Sequence, residues 1–388
     1  MKTPNPYDFF DVDSILSEEE RQVRDAVREF VRNEALPLMR DAFRDGTFPL
    51  QLIKGFGELG ILGANLQGYG CAGLNNIAYG LIMQELEYVD SGLRSFASVQ
   101  GALVMYPIHT FGSELQKEKY LPRLASGENV GCFGLTEPDF GSNPAGMITR
   151  AEKVDGGYKL NGRKMWITNA SLADIAVVWA KLEDEIRGFV IEKGAPGFTT
   201  VQMHGKLSLR ASDTSEILLD DCLVGEDALL PGSRGLKSPL MCLSQARYGI
   251  AWGVIGAAIA CYEEALTYSK ERIMFDKPIA AFQLTQNKFA EIMTEITKMQ
   301  LMVFQMGKLK DGARVHPGQI SMAKRNNCHH ALNIARVCRE ILGANGIMDD
   351  YVCMRHANNL ESVKTYEGTH EIHSLILGQA ATGYSAFA

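Results

Sequence analysis

Runs of β-branched and aromatic residues broken by tight-turn signals are confined to one stretch of this 388-residue chain, from residue 131 to about residue 238. Helical periodicity flanks that stretch on both sides. An order of helices, then strands, then helices lacks the β-α-β alternation of a doubly wound sheet and predicts segregated layers, an α+β fold. In the middle, residues 164–168, 175–179 and 188–191 read as strands. Asp155-Gly156-Gly157 and Asn161-Gly162 read as turns, and Gly194, Pro196 and Gly197 punctuate the next segment. Turns this frequent predict a small antiparallel sheet or barrel.

The flanks carry helix start and stop signals. Ser17 and Glu20 form a capping box ahead of Val23, Val27, Phe30 and Val31 on one face. Residues 75–86 predict a second helix, and 114–120, capped by Ser113, a shorter one closed off by Pro122. After the strands, Phe289, Ile292, Met293, Ile296, Met299 and Val303 make a stripe at spacings of three and four. Pro278 and Pro317 mark helix starts, and Gly343 marks an end. The expected domains are an all-α domain at 1–130, a β-barrel at 131–236 and a four-helix bundle at 237–388.

Composition narrows the function. A formal charge of −7 without a basic block excludes a general nucleic-acid binder. Eight cysteines without a CxxC read as reduced, scattered thiols, and the acidic N-terminus shows neither an apolar signal core nor an Arg-rich presequence; a cytoplasmic location follows as the expectation. The longest apolar run, residues 248–262, holds three glycines and falls short of the roughly 20 residues of a membrane span, so it predicts a buried helix. Gly68-Tyr69-Gly70-Cys71-Ala72-Gly73 matches a dinucleotide fingerprint but sits among helical patterns, which makes it a connection. His370 and His373 are three residues apart rather than four, so no metal site is expected.

Three phrases set polar side chains in apolar frames: Phe133-Gly134-Leu135-Thr136-Glu137-Pro138 with Gly141-Ser142, Trp166-Ile167-Thr168-Asn169, and Thr365-Tyr366-Glu367-Gly368-Thr369-His370. Singly, each reads as a capped turn, a strand end or a helix start. Together and in this order they resemble the acyl-CoA dehydrogenase family over nearly the whole chain. The segments Ser91-Gly92-Leu93-Arg94-Ser95, Ser98-Val99-Gln100, Ala246-Arg247-Tyr248-Gly249 and Lys324-Arg325-Asn326-Asn327-Cys328 are similar to its glutaryl-CoA dehydrogenase branch. Asn143 departs from the Asp usual after Gly-Ser, keeping a capping oxygen without the charge.

The resemblance implies FAD as cofactor and oxidation of the Cα–Cβ bond of an acyl-CoA. Glu367 would be the base, with its main-chain N–H on the thioester oxygen and Gly368 admitting the thioester. A carboxylate in an apolar pocket should have a raised pKa. Phe133, Leu135, Thr136, Ser142, Trp166, Ile167, Thr168 and Thr369 would line the flavin. Arg272, Gln283, Glu340, Gly343 and Ala344 would grip the dinucleotide of a neighbouring subunit, which implies a homotetramer built as a dimer of dimers. Glu87, Arg94, Ser95, Ser98, Ser142, Arg247 and Tyr366 would surround the acyl group, with Arg94 on the distal carboxylate of glutaryl-CoA. The implied products are crotonyl-CoA and CO2, with electrons passed to electron-transfer flavoprotein. The alternatives are a non-decarboxylating glutaryl-CoA enzyme, another short-chain acyl-CoA dehydrogenase, or a catalytically inactive helical scaffold.

Overall fold

The computed structural model describes residues 4–387, so residues 1–3 and 388 of the expected end domains lie outside the described residues. The N-terminal helices are α1 (Glu18–Phe30), α2 (Met39–Asp45), α3 (Leu52–Glu58), α4 (Asn76–Val89), α5 (Ser91–Ser98), α6 (Tyr106–Phe111) and α7 (Glu114–Ala125). The capping box forms as expected: the Glu20 N–H donates to Ser17 Oγ, and the Ser17 N–H donates to Glu20 Oε2 at 2.7 Å. Asn75 caps α4, whose residues are almost all buried. Pro122 does not end α7, which runs on to Ala125. Buried Leu121, Leu124 and Ala125 hold that last turn, outweighing the hydrogen bond the proline forgoes.

One residue aims α5. Asp90 is extended (φ −165°) and fully buried between α4 and α5. Its Oδ1 caps α5 through the Gly92 N–H at 2.7 Å, and its Oδ2 accepts from Asn359 Nδ2 at 2.9 Å and pairs with Arg355. A π-helical stretch, Val99–Met105, comes next, and there the Gln100 side chain accepts the Gly131 N–H and donates to the carbonyls of Leu124 and Asn129. The start of the sheet is thereby tied to the helix that carries Arg94.

The strands are β1 (Gly131–Gly134), β2 (Arg150–Val154), β3 (Gly157–Thr168), β4 (Ile175–Leu182), β5 (Glu185–Glu192), β6 (Phe198–Gln202) and β7 (Thr214–Gly225). The sheet is mixed rather than antiparallel: β1 and β2 run parallel to β4, pairing with successive stretches of it. Asp155-Gly156 makes the expected hairpin turn between β2 and β3. Asn161-Gly162 makes a bulge inside β3 instead, and glycine suits it because a Cβ at Gly162 (φ +151°) would lie 2.3 Å from Thr149 Oγ1. A second bulge falls between Lys164 and Ile167, where Trp166 takes φ +63°.

The C-terminal helices are α8 (Lys237–Glu271), α9 (Gln283–Asp311), α10 (Pro317–Ile341), α11 (Val352–Thr365) and α12 (His370–Thr382). Helix α8 contains the apolar run. By length and composition it could cross a membrane, but 83% of its most apolar window is buried inside the protein, as expected of a core helix. Pro317 starts α10, whereas Pro278 precedes only a short 3-10 turn, Ile279–Ala281, and pairs with Ile273 in the hairpin of β8 (Ile273–Met274) and β9 (Lys277–Pro278). The glycine-rich 68–73 segment joins α3 to α4, and among the described residues no group of three His, Cys, Asp or Glu is poised to hold a metal. All eight cysteines are free, but they are not all scattered in space: Cys353 Sγ lies 3.8 Å from the Cys261 carbonyl and 3.3 Å from Glu264 Oε2.

Candidate active site

The loop between α11 and α12 presents Glu367. Thr369 Oγ1 caps α12 through the Ile372 N–H, which fixes where the loop ends. Glu367 takes φ +53° and Gly368 φ +96°. The φ of Gly368 favours glycine, and a Cβ there would also crowd His373 Nε2 at 3.0 Å and Arg247 Nη2 at 3.2 Å. Arg247 Nε donates to the Glu367 carbonyl at 2.6 Å, and Lys324 Nζ donates to the carbonyls of Tyr366 and Gly368 at 2.6 Å each. The residue is half-buried as a whole, yet its Oε2 is enclosed and has no hydrogen-bond partner among the described residues. Burial raises the Glu367 carboxyl above the ordinary carboxylate range, partly offset by the charges of Arg94, Lys324 and Arg247. That is the direction expected of a general base working near neutral pH.

Next to this loop lies a buried ion pair. Arg94 Nε donates to Glu87 Oε2 at 2.6 Å with both side chains out of solvent, and Ser91 Oγ donates to Glu87 Oε1 at 2.8 Å. Arg94 Nη2 donates to the Tyr366 hydroxyl, which also lies 3.2 Å from Ser95 Oγ. Nη1 is left without a partner among the described residues. Gly253 of α8 makes room for the pair: a Cβ there would lie 2.2 Å from Glu87 Oε2. Ser98 is buried, and its hydroxyl has no hydrogen-bond partner among the described residues. Glu87, Arg94, Ser95, Arg247, Tyr366, Glu367 and Gly368 are thus brought together from α4, α5, α8 and the loop after α11.

A second group gathers at the rim of the sheet. Phe133 and Leu135 are buried, Thr136 and Thr168 are partly open, and Trp166 is 60% exposed on its bulge. The Met165 N–H donates to the Thr136 carbonyl, so the first and second phrases meet. Beneath them Lys164 donates to the Leu135 carbonyl at 3.0 Å and to Glu137 Oε1 at 2.8 Å, fully buried. Glu137 also accepts the N–H groups of Ile148 and Thr149. Ile167 packs its side chain into the core of the sheet, which leaves only its main chain for a ligand at the rim. Ser142 is exposed on the loop after Glu137.

The remaining set is distant. Arg247 lies within α8 and Arg272 caps its C-terminal end, and twenty-five residues at ~1.5 Å each put them roughly 37 Å apart. Arg272, Gln283, Glu340, Gly343 and Ala344 are all exposed. Asn345 donates to the Tyr268 hydroxyl and Lys288 pairs with Glu340, which gathers these segments at one end of the C-terminal helices.

Two lysines belong to the site that spacing and composition do not single out: Lys164 under the rim and Lys324 under the Glu367 loop. A lone lysine in a strand or helix reads as a solvated side chain. Their only signal was to stand within or beside the recognised phrases.

An enclosed carboxylate at a helix-capping loop thus sits in a helix–sheet–helix frame. The acyl-CoA dehydrogenase N-terminal, middle and C-terminal domain models match residues 17–128, 132–222 and 233–382, and the chain belongs to that family. Among solved structures, a glutaryl-CoA dehydrogenase from Mycobacterium smegmatis in complex with FADH2 superposes with a TM-score of 0.98 and 52% identity over all of both chains. Butyryl-CoA dehydrogenase from Megasphaera elsdenii superposes at 0.90 with 31% identity, covering 94% of this chain and 98% of that one. An acyl-CoA dehydrogenase of Bacillus subtilis (strain 168) is 35% identical over 375 residues, 95% of this chain and 99% of that protein.

Proposed function

We propose that this chain oxidises glutaryl-CoA and carries the reaction through loss of CO2 to crotonyl-CoA. One observation supports the substrate above others: a solvent-free arginine, Arg94, has an unspent Nη1 group beside the loop that carries Glu367. An apolar acyl pocket rejects a distal carboxylate, whereas a buried guanidinium accepts it through a planar fork. Glu87 holds Arg94 in place, and Tyr366 and Ser95 fix its orientation.

FAD is the cofactor, and the rim fits it. Trp166 offers an exposed aromatic ring, and Thr136 and Thr168 offer partly open hydroxyls that make no hydrogen bond to the described residues. Phe133, Leu135, Ser142, the Ile167 main chain and Thr369 complete the residues that would hold it. When bound, the flavin supplies the hydride acceptor for the substrate β-hydrogen.

The chain's own residues do the rest. Glu367 takes the α-proton, and its main-chain N–H stabilises the charge developing on the thioester oxygen. After oxidation the carboxylate held by Arg94 is vinylogous to the thioester, so loss of CO2 leaves an electron pair delocalised into the carbonyl. The protonated Glu367 then returns its proton. The distance between Arg247 and Arg272 supports a site completed by a second copy, which contributes Arg272, Gln283, Glu340, Gly343 and Ala344 to the dinucleotide, within a homotetramer. Electron-transfer flavoprotein is the proposed acceptor.

Steady-state turnover with an artificial acceptor tests the substrate. The kcat/KM for glutaryl-CoA should exceed that for butyryl-CoA, and the reverse order would overturn the reading.

A further inference from the structure

Lys324 is a buried cation that the chemistry above leaves without a task. It stands on α10 with 1% of its surface exposed, and no carboxylate lies within ion-pair distance of its Nζ among the described residues. Burying an ammonium in that way is costly unless its donors are well used. Two of its donors go to the carbonyls of Tyr366 and Gly368, which bracket Glu367, while Arg247 takes the Glu367 carbonyl itself. Three consecutive carbonyls of one loop are therefore held by two cations, Lys324 buried and Arg247 half-buried. The restraint has a purpose, because Glu367 occupies the left-handed region, where a residue with a Cβ stays only when its surroundings impose it.

We propose that Lys324 is a positioning residue for the base: it clamps the Tyr366 and Gly368 carbonyls so that the Glu367 carboxyl and N–H stay aimed at the acyl thioester, and its charge favours the ionised carboxylate. The proposal rests on Glu367 being the base. The groups that face Glu367 are Arg94 from α5, Arg247 from α8, Lys324 and Cys328 from α10, Tyr79 from α4, Tyr366 beside it and His373 from α12, with Glu87 neutralised by its pairing to Arg94. Burial holds His373 neutral, its imidazole pushed down to about 3. Three cations thus offset the burial of Glu367, Lys324 among them as long as the pH stays below about 8, to which burial pushes its ammonium down. Removing one makes the carboxylate keep its proton to higher pH.

The test separates proton abstraction from oxidation. 3,3-Dimethylglutaryl-CoA has α-hydrogens but no β-hydrogen, so exchange of its α-protons in D2O on the full-length holoenzyme reports the base alone. Exchange is followed by mass spectrometry against pH. Lys324→Met should slow exchange about a hundredfold and move its midpoint upward, and Lys324→Arg should recover part of the rate and the lower midpoint. If the methionine variant does not fold, Lys324→Gln, which keeps one donor group but no charge, should show the same upward midpoint. A wild-type rate and midpoint in the uncharged variant, or no recovery with arginine, would overturn the proposal. Wild-type enzyme that does not exchange, or Glu367→Gln that exchanges normally, would instead remove Glu367 as the base, and this proposal with it.

Discussion

Replacing Arg94 with methionine removes the cation and leaves Glu87 buried. In the wild type Glu87 accepts from Arg94 at 2.6 Å and from Ser91 at 2.8 Å, with no solvent at either side chain of the ion pair. Breaking one side of such a pair costs about 3–5 kcal/mol, while replacing both partners by neutral groups of similar volume is close to neutral. Arg94→Met should therefore lose about that much in urea unfolding at a fixed FAD concentration. The double variant Glu87→Gln/Arg94→Met should recover to within ~1 kcal/mol of wild type. Catalysis should not recover with it. A distal carboxylate without its cation forfeits about 2–5 kcal/mol, roughly a 30- to 4,000-fold loss in kcat/KM for glutaryl-CoA. Butyryl-CoA, which has no such group, should lose less than about tenfold. Equal losses on the two substrates in the double variant would refute the carboxylate site, and a single variant as stable as the double would refute the energetic argument.

Glu367→Gln should keep FAD, abolish α-proton exchange and raise the thermal midpoint at neutral pH. The sign follows from the raised folded pKa: the folded state holds this proton more tightly, so the glutamate's stabilising contribution is full below about pH 4 and is lost as pH rises through the folded pKa. The stability gain over wild type should vanish in acid, and a gain independent of pH would contradict the burial argument. Gly253→Ala should displace the Glu87–Arg94 pair through the 2.2 Å approach of its Cβ to Glu87 Oε2, lowering glutaryl-CoA turnover more than butyryl-CoA turnover. Lys164→Met should loosen the Leu135–Thr136 rim and cost about 3 kcal/mol, read as weaker FAD retention on dilution; unchanged retention would place the flavin elsewhere.

Much of the frame was legible because its signals are local. The Ser17–Glu20 box, the Asn75 and Ser113 caps, Pro317 at the start of α10 and the stripe along α9 all depend on residues within a turn or two of each other. Errors arose where distant packing decided. Pro122 sits inside α7 because the core holds the final turn, and Asn161-Gly162 lies within the long pairing of β3 with β7, as a bulge where Thr149 leaves no room for a Cβ. The parallel pairing of β1 and β2 with β4 follows from crossovers that no local alternation encodes. At the site, the phrase around Glu367 was readable as a motif. Lys324 and Lys164 were not, since their roles come from carbonyls and a carboxylate 27 to 44 residues away. The Cys353–Glu264 contact was hidden for the same reason, joining α8 to α11 across 89 residues.

The most direct test of the proposed activity is the mass of the product formed from glutaryl-CoA by purified, FAD-loaded protein with an artificial electron acceptor. Crotonyl-CoA is the predicted product, since it requires the Arg94 carboxylate site, the Glu367 base and loss of CO2 in one enzyme. Glutaconyl-CoA would contradict the decarboxylation, and no product from active protein would contradict the substrate.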